Sequence, residues 1–400
     1  MAGKANLVVG QSGGPTAVIN NSLVGVVHQA MNESGIGGIY GMLHGIAGVL
    51  NEEFIDLRRE SAETLDLLRR TPASALGTVR RKLKPDDYDK LVDVFVKYDI
   101  GYFLYIGGND SMDTVYQVSQ MARRRGVDLR VIGIPKTIDN DLAQTDHCPG
   151  YGSAARFVAS AVRNSGIDTR SMGVDGPIKL LEIMGRNAGW LTAAAALAKE
   201  TESDPPHLIY LPERQLSREQ IVSDVKAAYE RYGYCVAAVS EGIVDEHGQP
   251  YATPTGRVDA FGHDVKLGVI ESVADIIDSK LGVRARFDKP SYLQRSFAEL
   301  MSGVDKEEAY RAGVEGVKAA VSGATGQMIA FERLDTAEYE IAYRLQDLDQ
   351  IANQEKIVPA EYINEAGNGV TEAFLAYARP LIGGPLPPYG RLANNRVPRL

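Results

Sequence analysis

Pro135-Lys136-Thr137-Ile138-Asp139-Asn140-Asp141 follows directly on the apolar run Val131-Ile132-Gly133-Ile134. A lysine, a threonine and two carboxylates at the end of a β-like run read as an active-site loop built for a phosphate, although a polar turn has similar residues. A second loop, Gly107-Gly108-Asn109-Asp110-Ser111, follows Tyr102-Phe103-Leu104-Tyr105-Ile106 and leads into a segment of helical period. A third, Gln11-Ser12-Gly13-Gly14-Pro15-Thr16, follows the run around Leu7-Val8-Val9. Glycines let backbone N–H groups approach an anion closely, and a helix N-terminus adds partial positive charge. Together these loops point to phosphoryl transfer.

Working outward, short β-rich runs alternate with segments of helical period. Strands are predicted at Leu7-Val9, Tyr102-Ile106, Val131-Ile134, Ile178-Ile183, Leu208-Leu211, Val236-Val239 and Met328-Phe331. Helices are predicted at Leu23-Met31, Met112-Arg125, Ala154-Arg163, Ala188-Lys199, Arg218-Arg231 and Val265-Lys280. This is the pattern of parallel sheets covered by helices on both faces, so the fold class is α/β. Ligands in such sheets collect at the carboxyl ends of strands, where strand order reverses. Pro149-Gly150-Tyr151-Gly152-Ser153 suits a hinge, and the expected architecture is two doubly wound, Rossmann-like lobes with the site in the cleft between them.

Composition narrows the partners. A net charge of −9 argues against a general nucleic-acid binder, because counterion release needs a basic face. An anionic substrate must then be held by local clusters. Cys148 and Cys235 have no CxxC spacing, which suggests neither a disulfide framework nor a zinc site and fits a reducing cytoplasm. The longest apolar stretch, Ala188 to Ala198, is too short to span a bilayer, so no membrane partner is expected.

Asp139 and Lys136 supply the two groups phosphoryl transfer needs: a carboxylate to take a proton from an attacking hydroxyl, and a cation where negative charge gathers. Gly108 and Ser111 can cradle a phosphate, and Asp110 can hold magnesium, although Ser111 reads equally well as a helix N-cap. Gly13-Gly14 matches neither the Walker P-loop nor the dinucleotide GxGxxG spacing, which disfavours P-loop NTPases and dinucleotide-dependent oxidoreductases. Arg186, in Met184-Gly185-Arg186-Asn187-Ala188-Gly189, follows a strand and suits either a planar phosphate contact or a surface ion pair. Arg284, Arg286, Lys289 and Arg295 form either a solvated face or a sugar-phosphate pocket. Arg80-Arg81-Lys82-Leu83-Lys84 is a solvated helix start or a contact to donor phosphates. His263 reads as structural, since the six histidines show no metal-ligand spacing.

GGNDS at 107–111, PKTIDND at 135–141, MGRNAG at 184–189, SEG at 240–242 and YLQR at 292–295, in that order and spacing, resemble the phosphofructokinase family over about the first 330 residues. Its pyrophosphate-dependent branch is the closer match, because ATP-using members typically have glycine where this chain has Asp110 and Lys136. An acidic side chain there opposes the nucleotide's α-phosphate by charge and bulk, and the lysine serves a donor that lacks an adenosine handle.

The resemblance implies reversible, magnesium-dependent transfer from pyrophosphate to fructose 6-phosphate. It implies Asp139 as the base on the 1-hydroxyl, flanked by Thr137, Ile138 and Asp141, with Lys136, Asp110 and Arg186 completing the catalytic set. Gly13, Gly14, Arg80, Gly108, Ser111 and Lys136 are expected at pyrophosphate, and Asp110 with Asn109 at the metal. Met184, Gly185, Arg186, Glu241, Tyr292 and Arg295 are expected at the sugar phosphate. Arg286 is expected to cross from a neighbouring subunit, which makes the unit a homodimer or homotetramer with its site at the interface. The expected lobes are residues 1–150 plus about 295–340 for the donor, and 151–294 plus part of the C-terminal region for the sugar, with 379–400, rich in proline and glycine, an extended arm. Two positions depart from the family: Asn109 stands where many members have aspartate, and Pro177 replaces a second cross-subunit arginine, with Lys179 as its substitute. The rival readings are an ATP-dependent kinase of the same fold and a non-catalytic regulatory subunit.

Overall fold

A computed structural model of the chain describes residues 4–79, 81, 83–251, 254–258, 264–266, 268–393 and 395–398. Arg80 and His263 lie outside the described residues.

The strands are β1 Ala5–Gln11, β2 Ile36–Met42, β3 Phe54–Asp56, β4 Ile100–Gly107, β5 Arg130–Pro135, β6 Ile178–Ile183, β7 Leu208–Tyr210, β8 Cys235–Ser240, β9 Pro254–Val258, β10 Asp264–Lys266, β11 Ala285–Asp288, β12 Gln327–Arg333 and β13 Ile341–Asp347. Seven of them form one sheet in the order β13-β12-β5-β4-β1-β2-β3, and four form another in the order β11-β6-β8-β7. The inner pairs of the larger sheet are parallel, and β3 and β13 close its edges antiparallel. The smaller sheet is parallel throughout. β9 and β10 form a separate antiparallel pair.

Burial explains why the central strands read as continuous apolar runs: a parallel sheet is covered on both faces. In β1, Leu7 and Val9 join the core on one face with Ile19, Leu23 and Val317, while Val8 joins the other with Phe95, Phe103 and Met112. The smaller sheet divides the same way, Leu181 and Ile183 packing to one side and Leu180 and Val239 to the other. Every predicted strand is present within a residue or two. β2, β3, β9, β10, β11 and β13 were not predicted. β2 is interrupted by glycines, β3 and β11 are short and lie among charged residues, and β13 is a half-exposed edge.

Two predicted helices take a different form. Ala188–Lys199 becomes a short α-helix, Trp190–Ala193, followed by a 3₁₀ stretch, Ala194–Ala198. Tightening to i→i+3 bonds is common at helix ends, and these small buried residues do not resist it. Val265–Lys280 begins only at Val269, because Asp264–Lys266 pairs with β9. Besides Pro85–Lys97, the longer helix Gly303–Val321 was not predicted. It crosses Ile19–Asn32 so closely that a Cβ at Gly25 would lie 2.0 Å from the Tyr310 carbonyl oxygen, and one at Gly313 would lie 2.1 Å from that of Ser22. Small residues at the crossing remove the large apolar stripe by which a helix is read.

The chain leaves β1 for β2 on one side and later places β4 on the other, so strand order reverses between β1 and β4. The loops at Gln11–Thr16 and Gly107–Ser111 leave the sheet there, beside the loop after β5. In the smaller sheet, Ile183 of β6 pairs with Ser240 of β8, so the segments beginning at Met184 and Glu241 emerge together. Among the described residues no helix is long and apolar enough to cross a membrane.

Candidate active site

The loops after β1, β4 and β5 face those after β6, β8 and β11 across a cavity of about 800 Å³. Its walls include Gly13, Gly14, Gly108, Asn109, Asp110, Ser111, Lys136, Thr137, Ile138, Asp139 and Asp141 from the larger sheet. The smaller sheet's side contributes Met184, Arg186, Glu241, Tyr292 and Arg295. Tertiary structure therefore gathers into one cleft nearly all the positions expected at a site.

The start of the loop 135–141 is held by backbone bonds: Lys136 N donates to the Gly107 carbonyl at 3.0 Å and Thr137 N to that of Pro149 at 3.1 Å. Asp139 N donates to Thr137 Oγ1 at 3.0 Å. Between the two aspartates, Asn140 has φ +56°, a left-handed conformation that asparagine tolerates better than most residues. Its fully buried amide donates to the Tyr377 hydroxyl at 2.8 Å and accepts from Cys148 N at 3.0 Å. Sequence reasoning passed over Asn140 as a site residue; its signal was its place between two carboxylates.

Lys136 is 3% exposed, and its ammonium donates to the Gly14 carbonyl at 2.7 Å. It fills the space beneath the first loop, where a Cβ at Gly13 would lie 3.2 Å from Nζ. Burial lowers its pKa to about 8, with Asp139 opposing the shift. Asp139 moves the other way. Burial first, then the nearby carboxylates of Asp141 and Glu241, push it up to about 7 against the pull of Lys136 and Arg295. Asp141 is also raised by burial, while hydrogen bonds from Thr137 and Asn109 hold it back. Two titratable partners whose environments drive their pKa values towards neutrality are the signature of acid–base work.

On the opposite wall, Gly185 adopts φ +122° and its carbonyl accepts from Ser240 Oγ at 2.7 Å. A Cβ at Gly242 would lie 1.7 Å from the Arg186 carbonyl oxygen, so these two segments pack backbone to backbone. Met184 N donates to Oε1 of the buried Gln294 at 3.1 Å, a support that sequence reasoning did not single out. Arg295 stacks over the Tyr292 ring at 4.4 Å and reaches the first loop, where a Cβ at Gly14 would meet its Nη1 at 2.6 Å. Lys289 also lines the cleft, bound to Glu271 at 2.7 Å and 3.7 Å from Glu182.

Some expected positions lie elsewhere. Gly185 stands behind its neighbours and does not line the cavity. Arg286 donates to the Gly176 carbonyl at 3.1 Å, away from the cleft, and its Nε is buried without a hydrogen-bond partner. Lys179 pairs with Asp288 at 2.8 Å. The basic run 284–295 is therefore divided, with Lys289 and Arg295 in the cleft and Arg286 outside it.

Comparison with known proteins agrees with this frame. The phosphofructokinase family model matches residues 6–320. The chain belongs to the phosphofructokinase family. It is 43% identical over 405 residues to the pyrophosphate–fructose 6-phosphate 1-phosphotransferase of Rhodospirillum rubrum, covering 99% of each chain. It is 40% identical to the Halomonas elongata protein of the same name, over 98% of this chain and 97% of that one. Among solved structures, the pyrophosphate-dependent phosphofructokinase from Marinobacter aquaeolei superposes with a TM-score of 0.86 at 38% identity, covering 99% of this chain and 98% of that one.

For this phosphofructokinase, a magnesium site can be tested against the donor atoms. Among the described residues no three His, Cys, Asp or Glu side chains cluster as a protein cage. Magnesium does not need one, since it is commonly held by one or two carboxylates plus substrate phosphates and water. Asp110 offers an exposed carboxylate in the first turn of the helix Asn109–Arg124. Beside it, Asn109 Nδ2 donates to Asp141 at 3.0 Å while Asn109 Oδ1 is buried with no partner. An orphaned oxygen next to a carboxylate fits an oxygen-seeking cation.

Proposed function

We propose that this chain transfers a phosphoryl group reversibly from pyrophosphate to the 1-hydroxyl of fructose 6-phosphate, giving fructose 1,6-bisphosphate and phosphate. The observation that carries this reading is the pairing of Asp139 with Lys136. A half-buried carboxyl raised towards neutrality and a buried ammonium bound to the Gly14 carbonyl flank one cleft.

In this mechanism Glu241, Met184, Arg186, Tyr292 and Arg295 hold the sugar phosphate. Gly13, Gly14, Gly108 and Ser111 receive pyrophosphate, with Arg80 as a further contact. Asp139 accepts the proton of the 1-hydroxyl as the oxygen attacks. Lys136 meets the charge that gathers on the transferred group. Asp110 and Asn109 would hold magnesium, which supplies charge neutralisation on the donor phosphates when bound. Catalysis is positioning and charge stabilisation, as phosphoryl transfer generally allows. Asp110 on the cleft wall and Lys136 beneath the first loop both oppose a nucleotide, the first by repelling its α-phosphate and the second by filling space. Donor-side and sugar-side lobes with the boundaries drawn from the sequence, a cytoplasmic setting and a homo-oligomer in which Arg286 completes a neighbour's pocket belong to the same reading.

Donor choice is the direct test. The purified chain, given fructose 6-phosphate and magnesium, is expected to form fructose 1,6-bisphosphate with pyrophosphate and not with ATP. Preference for ATP would overturn the donor assignment and leave the acceptor standing.

The pH profile is a second expected result. In the forward direction Asp139 must be ionised, so kcat/KM should rise as pH passes about 7. Lys136 must keep its proton, so the same quantity should fall as pH passes about 8. A narrow bell with an optimum between those values follows, its limbs belonging to the interacting pair. In the reverse direction Asp139 must donate a proton, so the rate should instead decline through about 7. Identical acid limbs in both directions would contradict its role.

A further inference from the structure

The family match ends at residue 320, yet chain beyond that point supports the loop 135–141 and the segment that follows it. Lys356 N donates to the Asp141 carbonyl at 2.8 Å, and Leu142 forms an antiparallel bridge with Glu355. The Lys356 ammonium donates to two further carbonyls of the same segment, Thr145 at 3.0 Å and Asp146 at 2.9 Å. It also meets Trp190: Nζ lies 5.0 Å from the centre of the Trp190 ring, and Trp190 Nε1 donates to the Lys356 carbonyl at 2.8 Å. Trp190 belongs to the core of the smaller sheet. One residue thus ties the aspartate loop of one sheet to the core of the other.

A second strut converges on the same place. Tyr377, in the helix Glu372–Ala378, donates its hydroxyl to the Asp146 carbonyl at 2.8 Å and accepts from Asn140 Nδ2 at 2.8 Å. The Asp146 carbonyl therefore receives both the Lys356 ammonium and the Tyr377 hydroxyl.

We propose that Lys356 is a positioning residue for phosphoryl transfer, fixing the chain from Asp141 to Asp146 so that Asp139 and Asp141 are held at the cleft wall. This rests on the reading of Asp139 as the base. An ammonium taken out of water is costly unless its donors are used, so its placement on two carbonyls against an indole face is a structural commitment. Burial lowers its pKa, while Cys148, Asp146 and Asp141 pull the other way. Hydrogen bonds from a charged donor are stronger than neutral ones, which suits a clamp on backbone carbonyls. Because Lys356 is not among the residues lining the cleft, it acts through the loop and not by touching substrate.

The test uses the full chain and two variants. Lys356→Met keeps the aliphatic stem on Trp190 and removes the ammonium, and Tyr377→Phe removes one hydroxyl. A small displacement of a reacting group costs up to about 100-fold, so Lys356→Met is expected to lower kcat roughly 10- to 100-fold while KM for each substrate stays within about twofold. Tyr377→Phe should show the same kcat-only pattern more weakly. Amide exchange over residues 139–146 should quicken about tenfold or more in both folded variants, as local opening becomes easier. Native kcat in both, unchanged exchange in that segment, or a kcat loss equal to the unfolded fraction seen by thermal melting would overturn the proposal. Should the unaltered chain turn over with neither donor, the proposed function fails. The exchange measurement then still decides whether Lys356 holds the loop.

Discussion

Asp139→Asn is expected to lower kcat in the forward direction about 10²- to 10⁴-fold, the usual contribution of a positioned general base. The asparagine keeps the shape of the side chain and cannot accept the proton. Burial alone would favour a neutral group here, and Asp141 and Glu241 add like-charge repulsion, so the native carboxylate is held at an environmental cost. Removing that charge should leave the fold intact or slightly more stable, which separates a chemical defect from a structural one. The acid limb of the pH profile should disappear with it. Near-native turnover, or a loss of activity that tracks a loss of folded protein, would remove Asp139 from the mechanism.

Lys136→Met should cost about 10²- to 10³-fold in kcat, comparable to losing one preorganised donor aimed at transition-state charge. Two effects combine. The proposed transition state loses its cation, and Asp139 loses the strongest of the charges that lower its pKa. The alkaline limb near 8 should therefore vanish, and the acid limb should move to higher pH. Methionine retains most of the buried volume beneath Gly13 and Gly14, so the first loop should stay in place. Steady-state kinetics with pyrophosphate varied will separate the roles. An unchanged kcat with a raised KM would show that Lys136 only binds the donor.

The parts of this site that were readable in advance are those whose signal is local. Val131–Ile134 and Tyr102–Ile106 read as strands because both faces of a central parallel strand are buried, leaving no polar alternation. The loops beyond them read as phosphate sites because glycine, lysine and aspartate must stand next to one another for that chemistry. β11 lacked such a signal, being four residues between charged neighbours, and so which of Arg286 and Lys289 reaches the cleft stayed open. The helix Gly303–Val321 was hidden for the opposite reason. Its contact surface is made largely of glycine and alanine, which allow backbone approach but carry little hydrophobic pattern.

By itself, then, the sequence determined the α/β class, the three phosphate-type loops and the chemistry those loops can support, since each depends on residues within one short stretch. Only the tertiary structure decided which residues share a cleft and which merely stand near one in sequence. It placed Arg295 against Gly14, turned Arg286 toward Gly176 and brought Lys356 and Tyr377 beneath the aspartate loop. The Asn140–Tyr377 bond joins residues 237 positions apart. No local pattern encodes such a partner, because a hydrogen bond depends on where the packed core delivers two side chains and not on what lies beside either of them.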